Sequence, residues 1–201
     1  MRLPAALVLI SFLVCATALR LAHAREAHAG TVQRMELEDL LGSCELALEG
    51  RVQNIRVVEA APKRIETEIT LSVSKRFWGD CPKVLVVRVP GGVLPDGRGL
   101  LLPGMPSFAQ GEELLLFLSE ASPNGTRMPV GLAQGRLRVE RRTDGSKTLV
   151  REQRDLEFVD PRTRRASKAE PRALFDYAAV LARLEAAAQA RKAREARGEK
   201  R

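Results

Sequence analysis

The chain has 201 residues, with 33 Lys and Arg against 25 Asp and Glu for a formal charge of +8, and 45% apolar but only 4% aromatic residues. That is the size of one modest domain with extensions. The balance of apolar to charged residues excludes a wholly disordered chain, a polytopic membrane protein and a collagen-like fibre.

The chain opens with Met1-Arg2, an apolar run from Leu3 to Leu19, and then Arg20, Leu21 and the triplet Ala22-His23-Ala24. This is the three-part layout of a secretory signal peptide over residues 1–24. A second Ala-x-Ala at Ala27-His28-Ala29 offers cleavage after residue 29, and the start at Arg25 is preferred. The alternative is an uncleaved anchor, since the run reaches the lower edge of a membrane-spanning length. A lipoprotein is disfavoured, because Val14 precedes Cys15 where a lipidation box needs a small residue. The expected location is therefore secreted or periplasmic. Both histidines, His23 and His28, lie in or next to the leader, so from Gly30 on there is no His for a general base, a Ser-His-Asp or Cys-His arrangement, or a His-ligated metal. No cofactor is expected. Cys15 goes with the leader, leaving Cys44 and Cys81, an even pair that predicts a disulfide in an exported protein; two buried thiols are the alternative.

Residues 30–160 read as the β domain. Met35 to Gly42 predicts a short helix with Leu37, Leu40 and Leu41 on one side and Gly42 as its stop. Cys44, Leu46, Leu48 and Val52 then alternate with polar residues, and the alternation slips at Ile55 and Val57, which predicts a bulge near Gly50 or Asn54. The cleanest strand follows: Ile65, Thr67, Ile69, Leu71 and Val73 against Arg64, Glu66, Glu68, Thr70, Ser72 and Ser74. A turn through Phe77-Trp78-Gly79-Asp80-Cys81-Pro82 leads to a third strand, Lys83 to Val89, stopped by Pro90-Gly91-Gly92. At such a tip Trp78 is either a plug of the barrel or an exposed contact residue.

Residues 93–110 are a loop rich in Gly and Pro, with Pro95-Asp96-Gly97 and Pro103-Gly104-Met105-Pro106, and one short strand at Gly99 to Leu102. Loops of this length in a small domain commonly carry function. Trp78, Pro90, Gly91, Gly92, Pro103, Gly104 and Phe108 are therefore the candidate partner-binding residues. Leu114 to Leu118 is a continuous apolar run, as for a strand buried on both faces. Pro123-Asn124-Gly125 makes a turn, and Asp144-Gly145 joins two further strands, Leu137 to Arg141 and Lys147 to Arg151.

Residues 30–160 hold 18 basic and 19 acidic residues, whereas 161–201 hold 12 basic and 5 acidic. The basic character belongs to the C-terminal extension, so it is no argument for a specific nucleic-acid partner of the body. Residues 161–169 read as a polar linker. From Glu170 to about Arg197 the composition is helical, with Leu174, Ala178, Leu181, Leu184 and Ala188 as the docking stripe, widened by Phe175, Tyr177 and Val180. Arg191, Lys192, Arg194, Arg197, Lys200 and Arg201 follow as a cationic end of the 170–201 segment. It is either a solvated face or a contact to an anionic polymer or membrane surface.

Tests for chemistry are mostly negative. The chain has no Gly-x-Ser-x-Gly elbow, P-loop, Cys-x-x-Cys or Asp-x-Asp loop. Gly91, Gly92, Gly97 and Gly99 read as turn glycines, and adjacent Glu112 and Glu113 point to opposite faces of a strand, so they do not share a proton site. Asn124-Gly125-Thr126 is a glycosylation sequon of use only in a eukaryotic secretory pathway.

Ser43-Cys44-Glu45-Leu46-Ala47-Leu48-Glu49-Gly50-Arg51-Val52, then Thr67 to Val73 leading to Phe77-Trp78-Gly79, resembles the opening of the netrin-like fold of the tissue inhibitors of metalloproteinases (TIMPs). The run continued through Val87 to Gly92, Gly104 to Phe108 and Gly111 to Leu118 is similar to a group of exported bacterial proteins with no established activity. The resemblance covers about Met35 to Gly135 and implies a small OB-like antiparallel β-barrel, closed or partly open, flanked by a short N-terminal and a C-terminal helix. Inhibition through an N-terminal Cys does not carry over, because Cys44 lies well inside the chain. The expected function is a non-catalytic exported binding or adaptor protein whose partner is an envelope protein or anionic polymer. The alternative is a protease-inhibitor-like module acting through the 90–108 loop.

Overall fold

A computed structural model of the protein describes residues 30–198. The leader with its two cleavage points, His23, His28 and Cys15, and Lys200 and Arg201 at the other end, lie outside the described residues. In chain order the strands are β1 Gly30–Val32, β2 Leu46–Ala61, β3 Arg64–Trp78, β4 Val84–Pro90, β5 Gly92–Val93, β6 Gly99–Leu100, β7 Glu113–Leu118, β8 Arg136–Arg141, β9 Lys147–Glu152, β10 Leu156–Val159, β11 Ala166–Lys168 and β12 Arg172–Asp176. Helix α1 spans Leu37–Ser43, a 3-10 turn Leu132–Gly135 precedes β8, and α2 spans Tyr177–Ala196.

The core is a seven-stranded antiparallel sheet in the order β12-β9-β8-β7-β2-β3-β4. The β7 run explains its centre. Leu115 and Phe117 face α1 and α2 together with Leu137, Val139 and Leu149, while Leu114, Leu116 and Leu118 face the opposite way with Leu48, Ile69, Leu71 and Val87. A strand covered on both sides has no polar parity to keep. The slip in β2 is there as well, with register shifts at Glu49/Gly50 and Val52/Asn54 that bend the long strand between its partners β3 and β7. The Asp144-Gly145 hairpin has its glycine at φ 82.

Several expectations are corrected. Of the closed and partly open alternatives the closed barrel is excluded, because β8, β9 and β12 add beyond β7 instead of crossing to β4, leaving β4 and β12 as separate ends of the sheet. Single bridges from Thr126 to Arg88 and from Pro129 to Leu118 are what tie β4 back toward β7. The C-terminal helix starts at Tyr177 instead of Glu170, since residues 172–176 complete the sheet against β9 and Asp176 caps the helix by accepting from the Ala179 N–H. Its packed face is accordingly Tyr177, Val180, Leu181, Leu184, Ala187 and Ala188, with Leu174 left 57% exposed on β12. The expected linker contains β11, which pairs with β10 beside β1. Helix α1 does not stop on Gly42; it ends at Ser43, with Cys44 already extended.

No disulfide joins Cys44 and Cys81. Cys44 packs among the residues beneath the helices and donates from Sγ to the Leu41 carbonyl at 3.3 Å, whereas Cys81 packs against the other face of the sheet. The two thiols therefore pack into different clusters, one on each face of the sheet.

Candidate functional site

The loop after β4 builds a cleft from residues whose backbone only glycine tolerates. Gly91 at φ 97 and Gly92 at φ 133 turn the chain off β4. The Gly91 N–H donates to the Ile65 carbonyl at 2.8 Å, and Thr67 Oγ1 donates to the Gly91 carbonyl at 2.7 Å. A Cβ at Gly92 would lie 2.7 Å from Thr67 Oγ1, so the close approach requires its absence. The short β5–β6 ribbon then carries the chain to Pro103-Gly104. Gly104, at φ 78, comes within 2.6 Å, measured from a built Cβ, of Leu156 Cδ2, and its carbonyl accepts from the Ala133 N–H.

Between this loop and the ends of β2, β3 and β4 lies a cleft of 520 Å³, apolar along Ile55, Val57, Val89, Leu102, Met105 and Phe108. Its volume is within the range of ligand pockets. Leu101 stands at its rim 79% exposed. Behind the wall formed by residues 104–107 is a second cavity of 340 Å³, lined by Ser107, Arg136, Glu152, Arg154 and Asp155. Arg136 is 4% exposed, donates from Nη2 to Glu112 Oε2 at 2.5 Å, and stacks over the Phe108 ring at 5.7 Å. Burial pushes the Glu152 carboxyl up, but the hydrogen bond and charge of Arg138 outweigh it and hold the group below its ordinary range.

Of the predicted loop residues, Pro90, Gly91, Gly92, Pro103, Gly104 and Phe108 all line the one cleft. Trp78 does not. It is the last residue of β3, paired with Ala47, and packs half-buried beneath the helices. Among the tail residues Arg191 is also misplaced by sequence reasoning, because it is a docking residue. It stacks on Trp78 and donates to the carbonyls of Leu41 and Cys44. Lys192 and Arg194 are exposed along the last turns of α2, and Arg197 is exposed just past its end.

Sequence reasoning missed Arg136, Glu152, Arg154 and Asp155. Glu112 and Glu113 do diverge as expected, Glu112 inward to Arg136 and Glu113 to Arg51 and Arg141. A further polar recess of 500 Å³ lies where α2 meets β2. There the Tyr177 hydroxyl donates to the buried Glu49 carboxylate at 2.7 Å, and burial and that carboxylate push the phenol well above its ordinary range. It staples the first turn of α2 to the sheet. Among the described residues no group of three or more His, Cys, Asp or Glu is placed to hold a metal ion, and no helix is long and apolar enough to cross a membrane. No protein-family model matches the chain, and neither a curated protein nor a solved structure is found similar to it.

Proposed function

We propose that the chain is a non-catalytic, exported binding protein of the cell envelope that takes part of a partner protein into the cleft walled by residues 90–108. The observation that carries the reading is the convergence of Pro90, Gly91, Gly92, Pro103, Gly104 and Phe108 on one apolar cleft with Leu101 exposed at its edge. Uncovered apolar surface of this kind is costly in water and is offset when a partner covers it. The framework we assign is OB-like, of the netrin- and TIMP-like kind and partly open. The long bulged β2 shared by β3 and β7, and the bridges at Thr126 and Pro129, support it.

The test is site-specific photocrosslinking in the native cell envelope, with the crosslinker at position 101 or, as control, at exposed position 142 on the β8–β9 hairpin. A discrete protein adduct from 101 alone, retained at high salt, is expected. Absence of an adduct at 101, or the same adducts from both positions, overturns the proposal. Attachment that needs Lys192, Arg194 and Arg197 and vanishes with salt assigns the function to the cationic helix end instead.

The second reading is a protease-inhibitor-like module, favoured by Val93 and Leu101 projecting from the loop at 52% and 79% exposure. It predicts inhibition of a secreted metallo- or serine protease that is lost on Leu101→Ser, and it fails if a panel of such enzymes is unaffected.

A further inference from the structure

We infer that the occupant of the cleft is an extended, apolar peptide segment whose backbone amides enter the adjoining polar cavity beside Arg136. The inference rests on the cleft being the binding site, and it adds the ligand's chemical class and a second chamber.

The two spaces adjoin each other. They share Gly104, Met105, Pro106, Ser107 and Asp155, and Phe108 on the cleft side carries Arg136 of the cavity side over its ring. The first chamber is apolar. The second has charged groups of both signs with bonding capacity to spare. Arg136 Nη2 is engaged by Glu112, but Nη1 approaches only Glu152 Oε2, at 3.9 Å, beyond hydrogen-bond reach. The Asp155 backbone is tied down, its carbonyl accepting from the Gly30 N–H at 2.8 Å. Its carboxylate makes no hydrogen bond or ion pair among the described residues.

A nearly buried guanidinium with an unengaged donor favours an oxygen acceptor in the cavity. The balance of the lining decides which. An anionic head group that reaches Arg136 also meets Glu152 and Asp155, and a cationic one meets Arg136 and Arg154. A neutral amide satisfies both, presenting its carbonyl to Arg136 and its N–H to a carboxylate. Amides whose neighbours project apolar side chains to alternate sides are an extended peptide, and Ile55, Val57, Met105 and Phe108 provide the apolar chamber for those side chains.

The test titrates the capped peptide Ac-Leu-Val-Pro-Leu-amide, and separately decanoate, into the exported form of the full chain while the methyl resonances of Leu101 and Met105 are followed. The peptide is expected to shift both. Arg136→Lys, which keeps the charge facing Glu112 but shortens the donor, is expected to weaken it about tenfold. The exposed Asp155→Ala, whose folding does not depend on a buried pair, is expected to weaken it several-fold if Arg136→Lys does not fold. Leu101→Ser is expected to weaken it as well. If the methyls shift but neither Arg136→Lys nor Asp155→Ala changes the affinity, or if decanoate binds and the peptide does not, the peptide assignment falls while the cleft stands. If no probe moves either methyl, the cleft reading falls with it.

Discussion

The Arg191 guanidinium lies 4.0 Å from the centroid of the Trp78 ring and donates to the carbonyl oxygens of Leu41 at 2.6 Å and Cys44 at 2.8 Å. Carbonyls at the C-terminal end of a helix have no partner within the helix, and a cation there is favoured by the helix dipole. One side chain near the end of α2 therefore closes the end of α1 and covers the last residue of β3. Arg191→Ala is expected to destabilise the protein by about 2 kcal/mol, with Arg191→Lys recovering part of it. Because Trp78 is the only tryptophan, urea unfolding followed by its emission measures this directly, and an unchanged midpoint refutes the latch.

A chain ending at Asp160 is expected not to fold. It loses β12 from the sheet edge and α2 from above Leu37, Leu149 and Phe117, and the two-turn α1 alone is left over that apolar face. Amide dispersion in a two-dimensional NMR spectrum decides it. A well-dispersed spectrum shows that residues 30–160 fold without the C-terminal segment.

Peptide mapping without reductant is expected to find no Cys44 to Cys81 linkage. Burial pushes the Cys81 thiol above its ordinary range, more than the nearby Arg76 lowers it, so Cys81 alkylates slowly at pH 8 and faster as pH rises. A linked peptide, or a thiol alkylated as fast as free cysteine, contradicts the placement.

Glu113 gives the acid side of stability. A hydrogen bond from Arg141 first, and the charges of Arg141 and Lys147 after it, hold its carboxyl below the ordinary value of 4.5. Since the folded chain holds the proton less tightly than the unfolded one, this contribution is complete above pH 4.5 and is lost as pH falls through the folded value. Glu113→Gln is expected to flatten the decline of stability below pH 4.5, and an identical pH profile for the two proteins rules the contribution out.

Gly104→Ala is expected to cost about 1–3 kcal/mol, because φ 78 disfavours a side chain and its Cβ would meet Leu156 Cδ2 at 2.6 Å and Leu132 Cδ1 at 2.9 Å. The cleft wall moves with it. Thermal unfolding and the Met105 methyl shift should both change, and a variant as stable as the parent removes the argument that this turn is sterically locked.

Local pattern determined a good deal of this molecule. The alternation around Ile69 and Leu71, the slip near Gly50, the doubly apolar β7 run and the Asp144-Gly145 hairpin are each set within a few residues, by side-chain periodicity or by a required φ, and they recur in the structure. The loop from Pro90 to Phe108 was legible as punctuation for the same reason. What the tertiary structure decided depends on partners far away in the chain. Residues 172–176 have helical composition but form a strand because β9 offers an unpaired edge, whose hydrogen bonds outweigh a weak propensity. Arg191 reads as one of a run of solvated charges until α1 places two carbonyls within its reach. Cys44 and Cys81 count as a pair until the sheet sets them on opposite faces. Arg136 and Asp155 carry no motif, and only the packing of β8 and the turn before β10 against the 104–107 wall turns them into the lining of a cavity.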